Sequence, residues 1–272
     1  MSPMNYLSLL LVVATFISYI PQYQRMLTLS SSAGLSIASV LIITLMNQVQ
    51  TVTMYYLFKT APDMRYGIPI ATPPSIRDWL NLSQILVQWS CSLFLFALVI
   101  YLPSPTISPT AKRVAVGLWI FHGLFSIFYI VVGGRPEDIV FNINRNLHVS
   151  IVNPLFIFLA VVAFYLQARI IPPVNKPGAY SEWTLGTQLF IFMLLAVSWP
   201  FRLILPLNMW ELGPQAAIFL GWYPWVGWAC INTTILTFDR GILLLLCIRT
   251  ARFNGEFGSH DEHEGLIRPR EL

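Results

Sequence analysis

The stretch VVATFISYIPQ, Val12–Gln22, returns later in the chain as VVAFYLQARIIPP, Val161–Pro173. Pro21 and Pro172 lie 151 residues apart, Leu35-Ser36 and Leu185-Gly186 150, and Asn81 and Asn232 151. Hydropathy dictates neither a proline nor an asparagine. A separation held over three apolar runs at such residues therefore marks an internal repeat. It predicts two three-helix units in the same orientation, joined by one extra helix, because a single connecting span returns the chain to the side from which the first unit began.

Around this repeat the whole chain is apolar. Of 272 residues, 56% are hydrophobic and 10% charged, and mean hydropathy is +0.66. Water-facing globular surfaces need about 25% charged residues, so a soluble enzyme, a disordered chain and a coiled coil are excluded. A bilayer span takes about 20 apolar residues. Runs of that size are predicted at Met4–Ile20, Gly34–Leu57, Trp79–Leu102, Val114–Val132, Leu147–Arg169, Thr184–Leu205 and Val226–Ile248. The fold class is all-α integral membrane, with seven transmembrane helices in a 3+1+3 parallel-repeat arrangement. Residues 1–102 form the first unit, 103–146 the linker helix and its loops, 147–249 the second unit, and 250–272 a cytosolic tail without fixed structure. Met209–Trp225 (MWELGPQAAIFLGWYPW) reads as an interfacial helix, an aromatic belt or the start of an overlong last span.

The first run has no basic residues ahead of it, which argues for a retained span. Lys and Arg number nine on one side, from Arg25 to Arg270, against five on the other. The positive-inside rule then puts the N-terminus in the lumen and the C-terminus in the cytosol. No basic stripe suits nucleic acid. Cys91, Cys230 and Cys247 lie in apolar runs with no Cys-x-x-Cys or His-x-x-x-His spacing, so neither a disulfide framework nor a metal site is expected.

From Ser18 to Ile42 the sequence SYIPQYQRMLTLSSSAGLSIASVLI resembles a PQ-loop motif: a Pro-Gln pair ending one helix, a basic residue, then Ser-Ser-x-Gly-Leu-Ser opening the next. The resemblance implies the 3+1+3 plan with cytosolic Pro-Gln loops and points to membrane transporters, among them vacuolar and lysosomal amino-acid exporters of the cystinosin type. The second copy departs from the motif, reading Pro172-Pro173 with no glutamine and no acid nearby.

Pro21, Gln22 and Pro172 are candidate hinge residues, since a proline where a span meets its loop removes one backbone hydrogen bond and allows a bend. Asn81 and Asn232 occupy corresponding places on the third and last spans. Gln84 and Gln88 extend a polar stripe from Asn81, and Asn47, Gln50 and Thr51 form another on the second span. Asn47, Asn81, Gln84 and Asn232 are the candidate substrate-binding residues; the bland reading is hydrogen bonding between helices. Asp239, the one carboxylate well inside a predicted span, follows Asn232 on nearly the same face. A charge there costs at least about 2.5–3.5 kcal/mol unless it meets water or a partner, which suits proton coupling or an ion pair with Arg202 or Arg240. His122 is expected to hydrogen-bond a neighbouring helix.

These residues describe a secondary transporter of a small polar, amino-acid-like solute in a vacuolar or lysosomal membrane, needing no cofactor. Glu262-x-x-x-Leu266-Ile267 resembles an acidic dileucine signal, making sorting adaptors possible partners. The alternative is an integral-membrane enzyme: the last third, with Glu211 and Asp239, loosely resembles fungal membrane-bound terpene cyclases, which protonate an alkene or epoxide with a carboxylic acid.

Overall fold

The computed structural model describes residues 3–60, 70–132, 139–171, 181–203, 222–223 and 227–267. Among them are seven long helices and no strand: α1 (Pro3–Leu29), α2 (Ile37–Thr60), α3 (Ile76–Tyr101), α4 (Pro109–Val132), α5 (Ile139–Ala168), α6 (Glu182–Arg202) and α7 (Trp228–Ile267). Six of them, all but α4, are long and apolar enough by composition to cross a membrane within the described residues. Polarity is arranged inside-out: Phe16, Ile17, Phe121, Phe158, Phe190 and Phe238 are exposed, while Gln22, Asn47, Gln84, Gln88, Asn232 and Asp239 are buried. A water-soluble fold would reverse those positions; a lipid-facing one requires them. The chain is a multi-pass membrane protein.

Several helices are longer than their apolar runs alone suggest. The sequence reading ends the first span at Ile20, with Pro21 as its boundary, but α1 runs through Pro21 to Leu29. Proline forfeits only the bond to the carbonyl four residues back, and packing holds the rest. The Tyr23 hydroxyl donates to the Cys91 carbonyl at 2.7 Å, and Met26 is fully buried. The fifth span begins at Ile139 rather than Leu147, because Phe141 and Asn144 bury against Tyr56, ring to ring and amide to hydroxyl respectively. A π-helical turn at His148–Val152 interrupts it. The last helix continues to Ile267, so residues 250–267, expected as a tail, are helical.

α3 packs against both α1 and α2, and α7 packs against both α5 and α6. Between these groups α1 meets α6 and α2 meets α5, while α4 lies on α2 and α5. α2 is the central helix: 78% of its apolar window is buried, against 44% or less in the other five spans. Apolar and amide side chains therefore surround it on every face.

Candidate functional site

From the last turns of α1 and of α5, two glutamines reach across the molecule. The Gln22 side-chain carbonyl on α1 accepts from the Ser181 backbone N–H at 2.9 Å, and Ser181 is the N-cap of α6. The Gln167 side-chain carbonyl on α5 accepts from the Ser36 N–H, also at 2.9 Å, just ahead of α2. Each serine hydroxyl in turn accepts from the N–H three residues on, Ser36 from Ser39 and Ser181 from Thr184. These hydroxyls satisfy one of the donors that a helix start leaves open. Gln22 and Gln167, Ser36 and Ser181, and Ser39 and Thr184 all stand 145 residues apart. Gly34 completes the Gln167 contact. Its φ of 88° is open to glycine at no steric cost, and the turn presents its carbonyl to the Gln167 amide at 2.8 Å.

This spacing revises the sequence alignment. Matching prolines pairs Pro21 with Pro172 and leaves the second copy without a glutamine. Matching contacts pairs Gln22 with Gln167, and at that spacing Leu166 stands opposite Pro21. Pro172 lies outside the described residues.

Directly above the two glutamines is a cavity of about 40 Å³, room for about three water molecules. Its lining includes Gln22 with Gln167, Ser39 with Thr184, Val40 with Leu185 and Ile43 with Gln188, every pair at the same separation. Tyr19, Thr44, Ser92 and Arg240 complete a polar wall. The cavity thus sits between the two helix groups and is lined by residues of both.

Polar contacts continue toward the other end of the bundle. Gln88 donates to Asn47 at 3.0 Å, tying the α2 and α3 stripes together, and Gln84 donates to the Thr15 hydroxyl on α1 at 2.8 Å. Asp239 lies 3.5 Å from the Arg240 guanidinium, with side-chain exposures of 6% and 11%. One turn or more beyond, Asn232 donates to Asn153 on α5 at 3.3 Å. Asn81 exchanges two bonds with Arg202 on α6, donating to its backbone carbonyl and accepting from its Nε. Asn47, Asn81, Gln84 and Asn232 are all buried, and none of them lines the cavity. Arg202, one of two sequence candidates for pairing with Asp239, is engaged by Asn81.

The rings around the π-turn were less legible. His122 has no hydrogen-bond partner and sets its ring edge against Phe156 at 5.4 Å. His148, which the sequence reading did not single out, stacks on Phe125 at 5.6 Å. The signal for it was the run Asn142–Asn146, polar at all but Ile143 where an apolar span was about to begin. Of Met209–Trp225, Trp222 and Tyr223 are described. Both pack on the cluster of Trp199 and Trp228, and burial pushes the Tyr223 phenol above its ordinary range. Glu211 lies outside the described residues.

No curated protein and no solved structure matches the chain. A family model does: PQ loop repeat, over residues 3–60, which spans α1, α2 and the turn between them. That match contains Gln22, Gly34 and Ser36, the residues through which this segment grips α5 and α6, and over this segment the chain is similar to the PQ-loop family.

Proposed function

We propose that this protein is a secondary transporter that carries a small polar, amino-acid-like solute across a vacuolar or lysosomal-type membrane by alternating access. Seven spans form two parallel triplets, α1–α3 and α5–α7, with α4 as the linker, the N-terminus lumenal and the C-terminus cytosolic. The observation that carries the reading is the pair of glutamine clasps at one separation, facing a cavity furnished pairwise by both triplets. A site shared by two similar bundles is what rocking of one against the other requires. The clasps close its cytosolic end, so the arrangement corresponds to a state shut toward the cytosol. Pro21 and Gln22 act as hinge and latch in the first triplet, and Pro172 stands beyond the latch of the second.

The buried amides Asn47, Asn81, Gln84 and Asn232 form the polar column along which the solute passes, and Asp239 is the proton site. Membrane cores hold such groups at a cost that function offsets. The match of residues 3–60 to the PQ loop repeat, whose proteins are commonly transporters, supports the reading without fixing a substrate. The test is uptake into proteoliposomes from a mixed pool of amino acids and sugars, with and without an imposed pH gradient. Uptake by native protein that loses its gradient dependence in Asp239→Asn is expected; no flux of any solute refutes transport. Flux with unaltered pH dependence in Asp239→Asn refutes only the proton role.

A further inference from the structure

The geometry points to Arg202 as a binding site for a carboxylate. Arg202, the last residue of α6, is 1% exposed. Its Nε donates to the Asn81 side-chain carbonyl at 3.0 Å, and its guanidinium plane lies over the Trp199 ring at 4.5 Å. The Trp199 indole is itself fixed by donating to Thr233 on α7 at 3.1 Å. Asn81 also donates to the Arg202 backbone carbonyl, so residue and helix end are held together. Yet Nη1 and Nη2 are both buried and have no partner.

A guanidinium is always charged, and a buried charge needs a counter-charge. The described side chains that hold this one are amide, indole and carbonyl. Asp78, one turn before Asn81 on α3, spends one carboxylate oxygen on the Ser75 N–H, the Ser75 hydroxyl and the Ala71 N–H as part of a capping box, and its other oxygen, buried without a hydrogen-bond partner, forms no ion pair with Arg202. The C-terminal end of α6 favours a cation only through partial charges. Among the described residues no carboxylate closes on Nη1 or Nη2, and a bound carboxylate would supply the counter-charge. With Nε occupied and the plane clamped on tryptophan, what remains is the end-on pair Nη1 and Nη2. Two parallel donors of that kind match the two oxygens of a carboxylate. Enclosure by α3, α6 and α7 keeps lipid phosphates away from them. Clamping on three sides also removes the rotamer freedom that an arginine ordinarily loses on binding.

The inference rests on the transporter reading for the source of the carboxylate, and it narrows the solute to one that carries such a group. The test is binding in detergent, by thermal shift and by titration calorimetry, with leucine, lysine, glutamate and succinate against leucinamide and glucose. Carboxylates are expected to raise the melting temperature of the native protein, and leucinamide and glucose are not. Arg202→Gln is expected to weaken carboxylate binding by roughly tenfold to hundredfold, the value of a charge-assisted pair of bonds. Arg202→Lys, which keeps charge and volume if the glutamine variant does not fold, recovers part of the affinity without the fork. No shift with any carboxylate overturns the inference, as does equal binding of leucine and leucinamide, or native affinity in both variants. Stability coupled between Arg202→Gln and Asp78→Asn, with no carboxylate effect, also overturns it and makes the two an internal pair. Flux in proteoliposomes separates the two readings. Solutes that cross without Arg202-dependent binding sink only this inference, and carboxylates that bind without crossing sink only the transporter.

Discussion

Gln22 and Gln167 do one task from two places in the chain: each caps, through its side-chain carbonyl, the serine that opens a helix of the other group, at 2.9 Å in both cases. Between them they join α1 to α6 and α5 to α2 at the same end of the bundle. Replacing either with leucine keeps the volume but strands a buried backbone donor. Each change is expected to lower stability by about 1–3 kcal/mol, read as a drop in detergent melting temperature; an unshifted melt disproves the clasp. In the double variant, Ser39→Cys on the cavity wall becomes faster to label with a membrane-impermeant thiol reagent, once the three native cysteines are replaced.

Pro21 sits inside α1, with eight further helical residues beyond it. Pro21→Ala restores the donor to the Ile17 carbonyl and stiffens the helix just before Gln22. The melting temperature is expected to rise while uptake in proteoliposomes slows. Faster uptake in a more stable variant would remove proline's role as a hinge.

Asp239 is buried and pairs with the partly buried Arg240. Arg240→Met leaves the carboxylate without compensation and is expected to cost about 3 kcal/mol or more, the penalty for breaking a buried pair from one side. Asp239→Asn combined with Arg240→Met recovers much of that loss. Additive losses in a double-mutant cycle by chemical denaturation in detergent would dissolve the pair.

Gln88 with Asn47, and Gln84 with Thr15, join α3 to its two neighbours. Polar contacts between membrane helices couple by about 0.6 kcal/mol on average and reach about 1.7. Double-mutant cycles to leucine and valine are expected to fall in that interval for both pairs. Coupling near zero would assign these amides to solute alone, and uptake measured on the same variants shows how far they serve it.

Much of the fold was legible because hydropathy is long-range and redundant: seven apolar runs give seven helices within a few residues of their cores. Boundaries were not, since Pro21, Asn144 and Arg145 carry local signals against a membrane helix that tertiary contacts with Cys91 and Tyr56 override. The sequence offered a pairing of the two halves, but not the register in which Gln22 and Gln167 make matching contacts. Proline is conspicuous in a sequence and glutamine is not, so aligning on Pro21 slid the second copy past Gln167 to Pro172. Buried amides were identifiable as costly residues; which of them pair with each other depends on helix rotation, which no spacing within one chain segment reports. Arg202 was legible only as a possible partner for Asp239, because its empty Nη edge exists in three dimensions alone.

The central position of α2 has a consequence for biosynthesis. Its amides Asn47, Gln48 and Gln50 are buried by α3, α4 and α5, all of which leave the ribosome later. Until residue 168 has been made, that helix waits in the bilayer with unshielded amides facing lipid. Chains that stall or are cut short before α5 therefore leave part of that polar face in hydrocarbon, at a cost that the finished bundle removes.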